Sequence, residues 1–107
     1  MLIDVLFSPE EFSMYRNAMG LTMQQVADEF LVTKQSISQF ENGLITTDST
    51  IQYYTIGILT LWGRYEFTDE ERAWRLECGR LGINVGTKRN RKMVEYVKEH
   101  MTNEIGF

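Results

Sequence analysis

The side chains best suited to chemistry in this chain lie between residues 33 and 42. Thr33, Lys34, Gln35, Ser36, Ser38, Gln39 and Asn42 surround two apolar residues, Ile37 and Phe40, spaced i, i+3. That spacing predicts a short helix anchored through Ile37 and Phe40, with an outer face rich in amides and hydroxyls and not in the Glu/Lys mixture of an ordinary solvated face. Side chains of this kind can read nucleic-acid bases: Gln pairs bidentately with the adenine edge, and Lys reaches guanine O6 and N7.

Something must hold that helix in place. Thr33 is its predicted N-cap, and Gly43 supplies a residue able to take positive φ after its last turn. Upstream, Thr22 and Gln25 have capping-box spacing, and Val26, Ala27 and Phe30 give a preceding helix one apolar side. Leu31 and Val32 join the two helices as a tight turn, and the small Ala27 lets another helix approach closely.

The segment VADEFLVTKQSISQFENG resembles the helix-turn-helix of the phage repressor and Cro family, which also occurs in many bacterial regulators. The similarity extends back through Tyr15–Thr22 and forward through the helix of 44–62, about half the chain. Ala27, Val32, Ser36-Ile37 and Glu41-Asn42-Gly43 are its matching positions. It implies double-stranded DNA as partner, with the second helix in the major groove. Lys34, Gln35 and Gln39 would then read base edges, and Thr33, Ser36, Ser38 and Asn42 would meet phosphates or the groove wall. The family commonly opens its preceding helix with a phosphate-touching Gln; here Met23 stands there and Gln24 follows. At the turn, where the family usually has Gly, stands Leu31, which is either held left-handed with about 1 kcal/mol of strain or part of a reshaped turn.

The remaining elements read as support. Residues 2–7 form a short strand or arm, lying on the core or pairing with a second subunit. Ser8-Pro9-Glu10-Glu11 starts a helix whose stripe is Phe12, Tyr15 and Met19, ended by Gly20. After a loop at 44–48, capped by Thr47 or Asp48, comes the most hydrophobic and central helix, through Ile51, Tyr54, Ile58, Leu59, Leu61 and Trp62, closed by Gly63. Gly57 inside it predicts close contact with a neighbouring backbone, since Gly there costs about 1 kcal/mol relative to Ala. Thr68–Glu71 is a second strong capping box, for a helix running to about Leu81 with Trp74, Cys78 and Leu81 on one side. Residues 82–87 form a loop, and Thr87 caps a last helix with Met93, Val94, Val97 and Met101 as its stripe, fraying from Thr102.

The second candidate site is Lys88-Arg89-Asn90-Arg91-Lys92. Cations at a helix N-terminus oppose the helix dipole, and this chain elsewhere puts acids there, at 10–11 and 69–71. The inversion suggests phosphate contacts by Lys88, Arg89, Arg91 and Lys92. A solvated loop, or pairing with the acidic 69–71 turn, is the bland alternative. A second helix-turn-helix around Leu81-Gly82-Ile83 fails on Glu77 and Lys88, which stand where apolar anchors are required.

Net charge is −4 over 107 residues, which argues against strong non-specific nucleic-acid binding. Before residue 68 the only cations are Arg16, Lys34 and Arg64, against eight carboxylates, so positive charge is concentrated beyond the family resemblance. One cysteine, Cys78, excludes an internal disulfide and reads as a small buried apolar residue. Together with the single His100, it offers no metal set. No cofactor, membrane span or secretory leader is expected, and the cytoplasm is the natural location. Enzyme chemistry has little support: there is no glycine-rich phosphate loop, no Ser-His-Asp arrangement beyond chance and no metal-ligand spacing, and the paired acids are explained by helix starts.

The expected architecture is all-α and a single domain over 1–107. A repressor-like bundle of four to five short helices occupies 8–67, and a C-terminal helical extension, 68–107, serves dimerisation or auxiliary DNA contact. The expected function is a sequence-specific transcriptional regulator, a repressor acting as a homodimer on a pseudo-palindrome. The competing class is a protein-binding adaptor on the same scaffold: an antirepressor, an antitoxin-like partner or an inhibitor of a nucleic-acid enzyme. It is suggested by the acidic repressor-like half, by Met23 and by the uncharged Leu44-Ile45-Thr46.

Overall fold

The computed structural model describes residues 6–105, with side chains through Met101. Among them are six α-helices and no strand: α1 Pro9–Met19, α2 Met23–Phe30, α3 Lys34–Glu41, α4 Asp48–Arg64, α5 Asp69–Arg80 and α6 Arg91–Ile105. A single 3-10 turn, Lys88–Asn90, leads into α6.

Local sequence signals set most of the boundaries. Ser8/Glu11, Thr22/Gln25 and Thr68/Glu71 each form both hydrogen bonds of a capping box. Thr33 caps α3 by accepting from the Ser36 amide. Gly20 and Gly43 take positive φ where α1 and α3 end. The main core gathers Phe12 of α1, Val26 and Phe30 of α2, Ile37 and Phe40 of α3, and Tyr54 and Ile58 of α4. Phe12, Phe30, Phe40 and Tyr54 meet as a four-ring cluster with centroids 4.9–6.1 Å apart.

Phe7 lies on this core, stacked on Tyr15, with its amide donating to the buried Thr55 hydroxyl at 3.0 Å. The rest of the expected N-terminal strand or arm, residues 2–5, is outside the described residues.

Helix α5 packs along α1, and α6 packs on α5. A smaller second core forms there from Cys78, Ile83, Val94 and Val97. Gly79 makes the α1–α5 approach possible: a Cβ on it would collide with the Met14 carbonyl. Arg75 adds a polar tie, donating to the Ala18 carbonyl at 3.1 Å while its guanidinium lies 4.0 Å from the Phe67 ring centre.

Several expected details differ. Gly63 does not close α4. It sits in the last turn, in open space, and the helix ends where Tyr65 turns extended to stack on Phe67. Gly57 accommodates the Phe30 ring, 2.6 Å from an added Cβ, and not a backbone. Leu81 is 51% exposed, because α5 ends at Arg80 and Gly82 reverses the chain so that Ile83 fills the core instead. Met93 is 52% exposed; it sits one step off the buried line through Val94 and Val97. Neither Thr47 nor Thr87 makes a side-chain cap. The α6 backbone stays helical past Thr102, where fraying is expected.

Candidate nucleic-acid interface

The turn that launches α3 is left-handed at Leu31, with φ 58° and ψ 41°. It closes α2 through amide bonds from Leu31 to Asp28 and from Val32 to Ala27. Val32 then tucks against the core while Leu31 points outward, 91% exposed. A non-glycine residue in this region is uncommon, and nothing about the exposed leucine side chain requires it there.

With Ile37 and Phe40 buried, the opposite side of α3 is open. Lys34, Gln35 and Gln39 are all exposed, and among the described residues none is held by a side-chain hydrogen bond. The hydroxyl and amide residues around them are organised by one another. The Thr33 and Ser36 hydroxyls are 2.9 Å apart, and Ser36 also lies beside the Tyr54 phenol, whose pKa burial pushes up. Asn42 donates to the Ser38 carbonyl at 2.9 Å and to its hydroxyl at 3.3 Å. Thr33 and Asn42 thus cap the two ends of α3 and Ser36 and Ser38 lie half-buried within it, whereas Lys34 and Gln35 project from its first turn and Gln39 from its last. Gln24 is exposed at the start of α2 and donates to Asp28 one turn on, at 2.8 Å.

The far end of α3 is tied to α1. Glu41 accepts from Arg16 Nε at 2.6 Å, Arg16 Nη2 at 2.8 Å and the Ser13 hydroxyl at 2.6 Å. Arg16 also donates to the Leu21 carbonyl at 3.0 Å, so one guanidinium spans the α1–α2 junction and the end of α3. Sequence reasoning missed this network. The available signal was a carboxylate in the last turn of α3, where the helix dipole disfavours it without a cationic partner.

The Lys88–Lys92 cluster is anchored to the same junction. Val85 donates its amide to the Asn17 carbonyl at 3.1 Å, and Asn84 donates to the Leu21 carbonyl at 2.9 Å. Gly86 lies directly on the Gly20 backbone: a Cβ on Gly86 would collide with the Gly20 carbonyl, and one on Gly20, itself at φ 75°, would be tightly crowded by Gly86. Lys88 follows two residues after that contact, as Thr22, the cap of α2, follows two residues after Gly20. Lys88, Arg89, Arg91 and Lys92 are all exposed, and no acid occupies the first turn of α6.

Residues 13–52 match a family model described as helix-turn-helix. The match agrees with the resemblance of this segment to the Cro/C1-type helix-turn-helix. A search of curated proteins and one of solved structures each give no match to the chain. The helix-turn-helix match covers α2, α3, most of α1 and the beginning of α4; α5, the 82–87 loop and α6 lie beyond it. The match supports a DNA-binding helix-turn-helix module in this segment.

The remaining chemistry is quiet. Burial pushes the Cys78 thiol up to about 11, so it is protonated at neutral pH and sits in the second core as an apolar filler. No His/Cys/Asp/Glu group among the described residues could hold a metal ion, and no helix there is long and apolar enough to cross a membrane.

Proposed function

We propose that this chain is a sequence-specific transcriptional repressor that binds as a homodimer, with α3 of each copy in the major groove. Lys34, Gln35 and Gln39 read base edges. Thr33, Ser36, Ser38, Asn42 and Gln24 position the helix against phosphates or the groove wall. Lys88, Arg89, Arg91 and Lys92 contact the backbone beside the start of α2. The observation that carries this is the open outer face of α3, where Lys34, Gln35 and Gln39 are exposed and have no side-chain hydrogen-bond partner among the described residues. Unpaired amides and an ammonium on a rigid rod, capped at Thr33 and clamped at Glu41, are pre-ordered for base-edge hydrogen bonds. Palindromic binding follows from the few base pairs that one such helix spans.

Selection from random duplexes tests it. The wild type should enrich a two-fold symmetric site. Gln35→Ala should relax preference at one position per half-site, at a cost of about 1–3 kcal/mol. Failure to enrich any sequence would overturn the proposal.

A protein-binding adaptor remains the second reading, favoured by two exposed leucines at opposite ends of α3, Leu31 at 91% and Leu44 at 70%. Exposed apolar side chains there suit a protein surface better than a phosphate backbone. Retention on random duplex DNA separates the two. A DNA binder is held at low salt and released steeply as salt rises, whereas an adaptor is not held at all.

A further inference from the structure

The second core leaves an apolar groove on its outer side. It is a cavity of about 380 Å³ between the end of α5 and one face of α6, lined by Leu81, Ile83, Met93, Tyr96, Val97 and Met101. Three of these are well exposed: Leu81 at 51%, Met93 at 52% and Tyr96 at 69%. Tyr96 lies flat against the His100 ring, with centroids 6.0 Å apart. A contiguous apolar surface of this kind, rimmed by charge, marks an interaction site.

We infer that a second copy of this chain seats in this groove, with α6 packed antiparallel against α6 across a two-fold axis near Tyr96. This rests on the homodimer reading above and assigns its interface. Two features of α6 select this occupant. Met93, then Tyr96 and Val97, then His100 and Met101 recur at i, i+3/i+4 and i+7/i+8, a seam that can pack against its own copy. Apart from Glu95 and Lys98, which pair with each other, the charges of α6 are also polarised. Arg91 and Lys92 stand at its start, after Lys88 and Arg89, and Glu99 stands two turns beyond Lys92. Running antiparallel about an axis near Tyr96, Lys92 of one copy meets Glu99 of the partner subunit, and two-fold symmetry makes that pair twice. A parallel arrangement would set cation against cation at one end.

Sedimentation of the full chain without DNA, over a dilution series, tests the interface. The wild type should sediment as a dimer. Tyr96→Glu should be monomeric at the same concentrations, with an unchanged helical circular dichroism spectrum. Glu99→Lys should weaken the dimer about tenfold, and adding Lys92→Glu should restore it, because the swapped pair is again complementary. The charge swap decides the matter even if Tyr96→Glu fails to fold. Wild type and Glu99→Lys dimerising equally well would overturn this interface and leave the homodimer reading standing. A wild-type monomer that places two chains on one operator duplex would do the same. A wild-type monomer with one chain per duplex would remove both.

Discussion

Arg16 and Glu41 form a two-pronged ion pair inside the molecule. Their side chains are only 12% and 7% exposed, and both carboxylate oxygens are engaged. The pair joins the last turn of α1 to the last turn of α3, and the Leu21 carbonyl holds the same guanidinium from the α1–α2 junction. Helix α3 is therefore fixed at its exit by charge and at its entry by the Thr33 cap. Its orientation is set by α1 as much as by the apolar anchors Ile37 and Phe40.

Because the pair is buried, removing one member is worse than removing both. Glu41→Ala leaves a desolvated guanidinium facing an empty site and should lower unfolding free energy by about 3 kcal/mol. The double variant Arg16→Met, Glu41→Leu should recover most of that loss, since apolar side chains of similar size suit the same space. Urea titration of the two variants checks the ordering. A double variant as unstable as Glu41→Ala would mean that the site does more than satisfy its own charges.

Leu31 carries strain that another residue could relieve. Its φ of 58° costs an L-residue about 1 kcal/mol, and a side chain 91% exposed returns little packing in compensation. Leu31→Asn should raise the melting temperature by about 4 °C, because Asn tolerates the left-handed region. Gly relieves the same strain but loosens the unfolded chain, so Leu31→Gly should gain less than Asn. If Leu31→Asn melts lower than the wild type, the leucine is making a contact that its exposure hides.

Two glycines in helices should respond to alanine with opposite sign. Gly63 lies in the last turn of α4 with nothing within 4 Å of an added Cβ, so Gly63→Ala should stabilise by about 0.5–1 kcal/mol. Gly79 faces the Met14 carbonyl across the α1–α5 contact, and rigid backbone cannot yield to a methyl group. Gly79→Ala should destabilise by about 1–3 kcal/mol and loosen α5 from α1. Thermal melts of both variants, with hydrogen exchange on α1 amides, decide the second claim. Equal melting temperatures would show that the helices can separate at little cost.

Most helix starts were legible in the sequence because capping is local: Ser8, Thr22, Thr33 and Thr68 each act on an amide three residues away. The outward face of α3 was legible for the same reason, since Ile37 and Phe40 fix which side is buried. What pattern reading missed is long-range. The Arg16–Glu41 pair spans 25 positions, and Asn84 reaches back 63 positions to Leu21. Gly79 shows no local sign that it, and not Gly57, is where two backbones meet. Leu81 and Met93 were assigned to the core by periodicity, yet the left-handed turn at Gly82 and the angle at which α6 meets α5 leave both half exposed.

The placement of the 88–92 cluster makes a prediction about salt. The 83–87 loop is bolted to the α1–α2 junction through Val85, Asn84 and Gly86, so the cations that follow it ride with the helix-turn-helix rather than on a loose tether. If Arg89 and Arg91 each neutralise a phosphate, replacing both with Ala should reduce the slope of log affinity against log salt by about 1.8. Base preference should stay the same, because phosphate contacts carry no sequence information. Gln35→Ala should do the reverse, shifting preference while leaving the slope in place. Cutting the anchor instead, with Asn84→Ala, should blunt the contribution of the cluster without removing a charge. Fluorescence anisotropy on one selected duplex across a salt series measures all three. An unchanged slope in the Arg89, Arg91 variant would return those residues to an ordinary solvated surface.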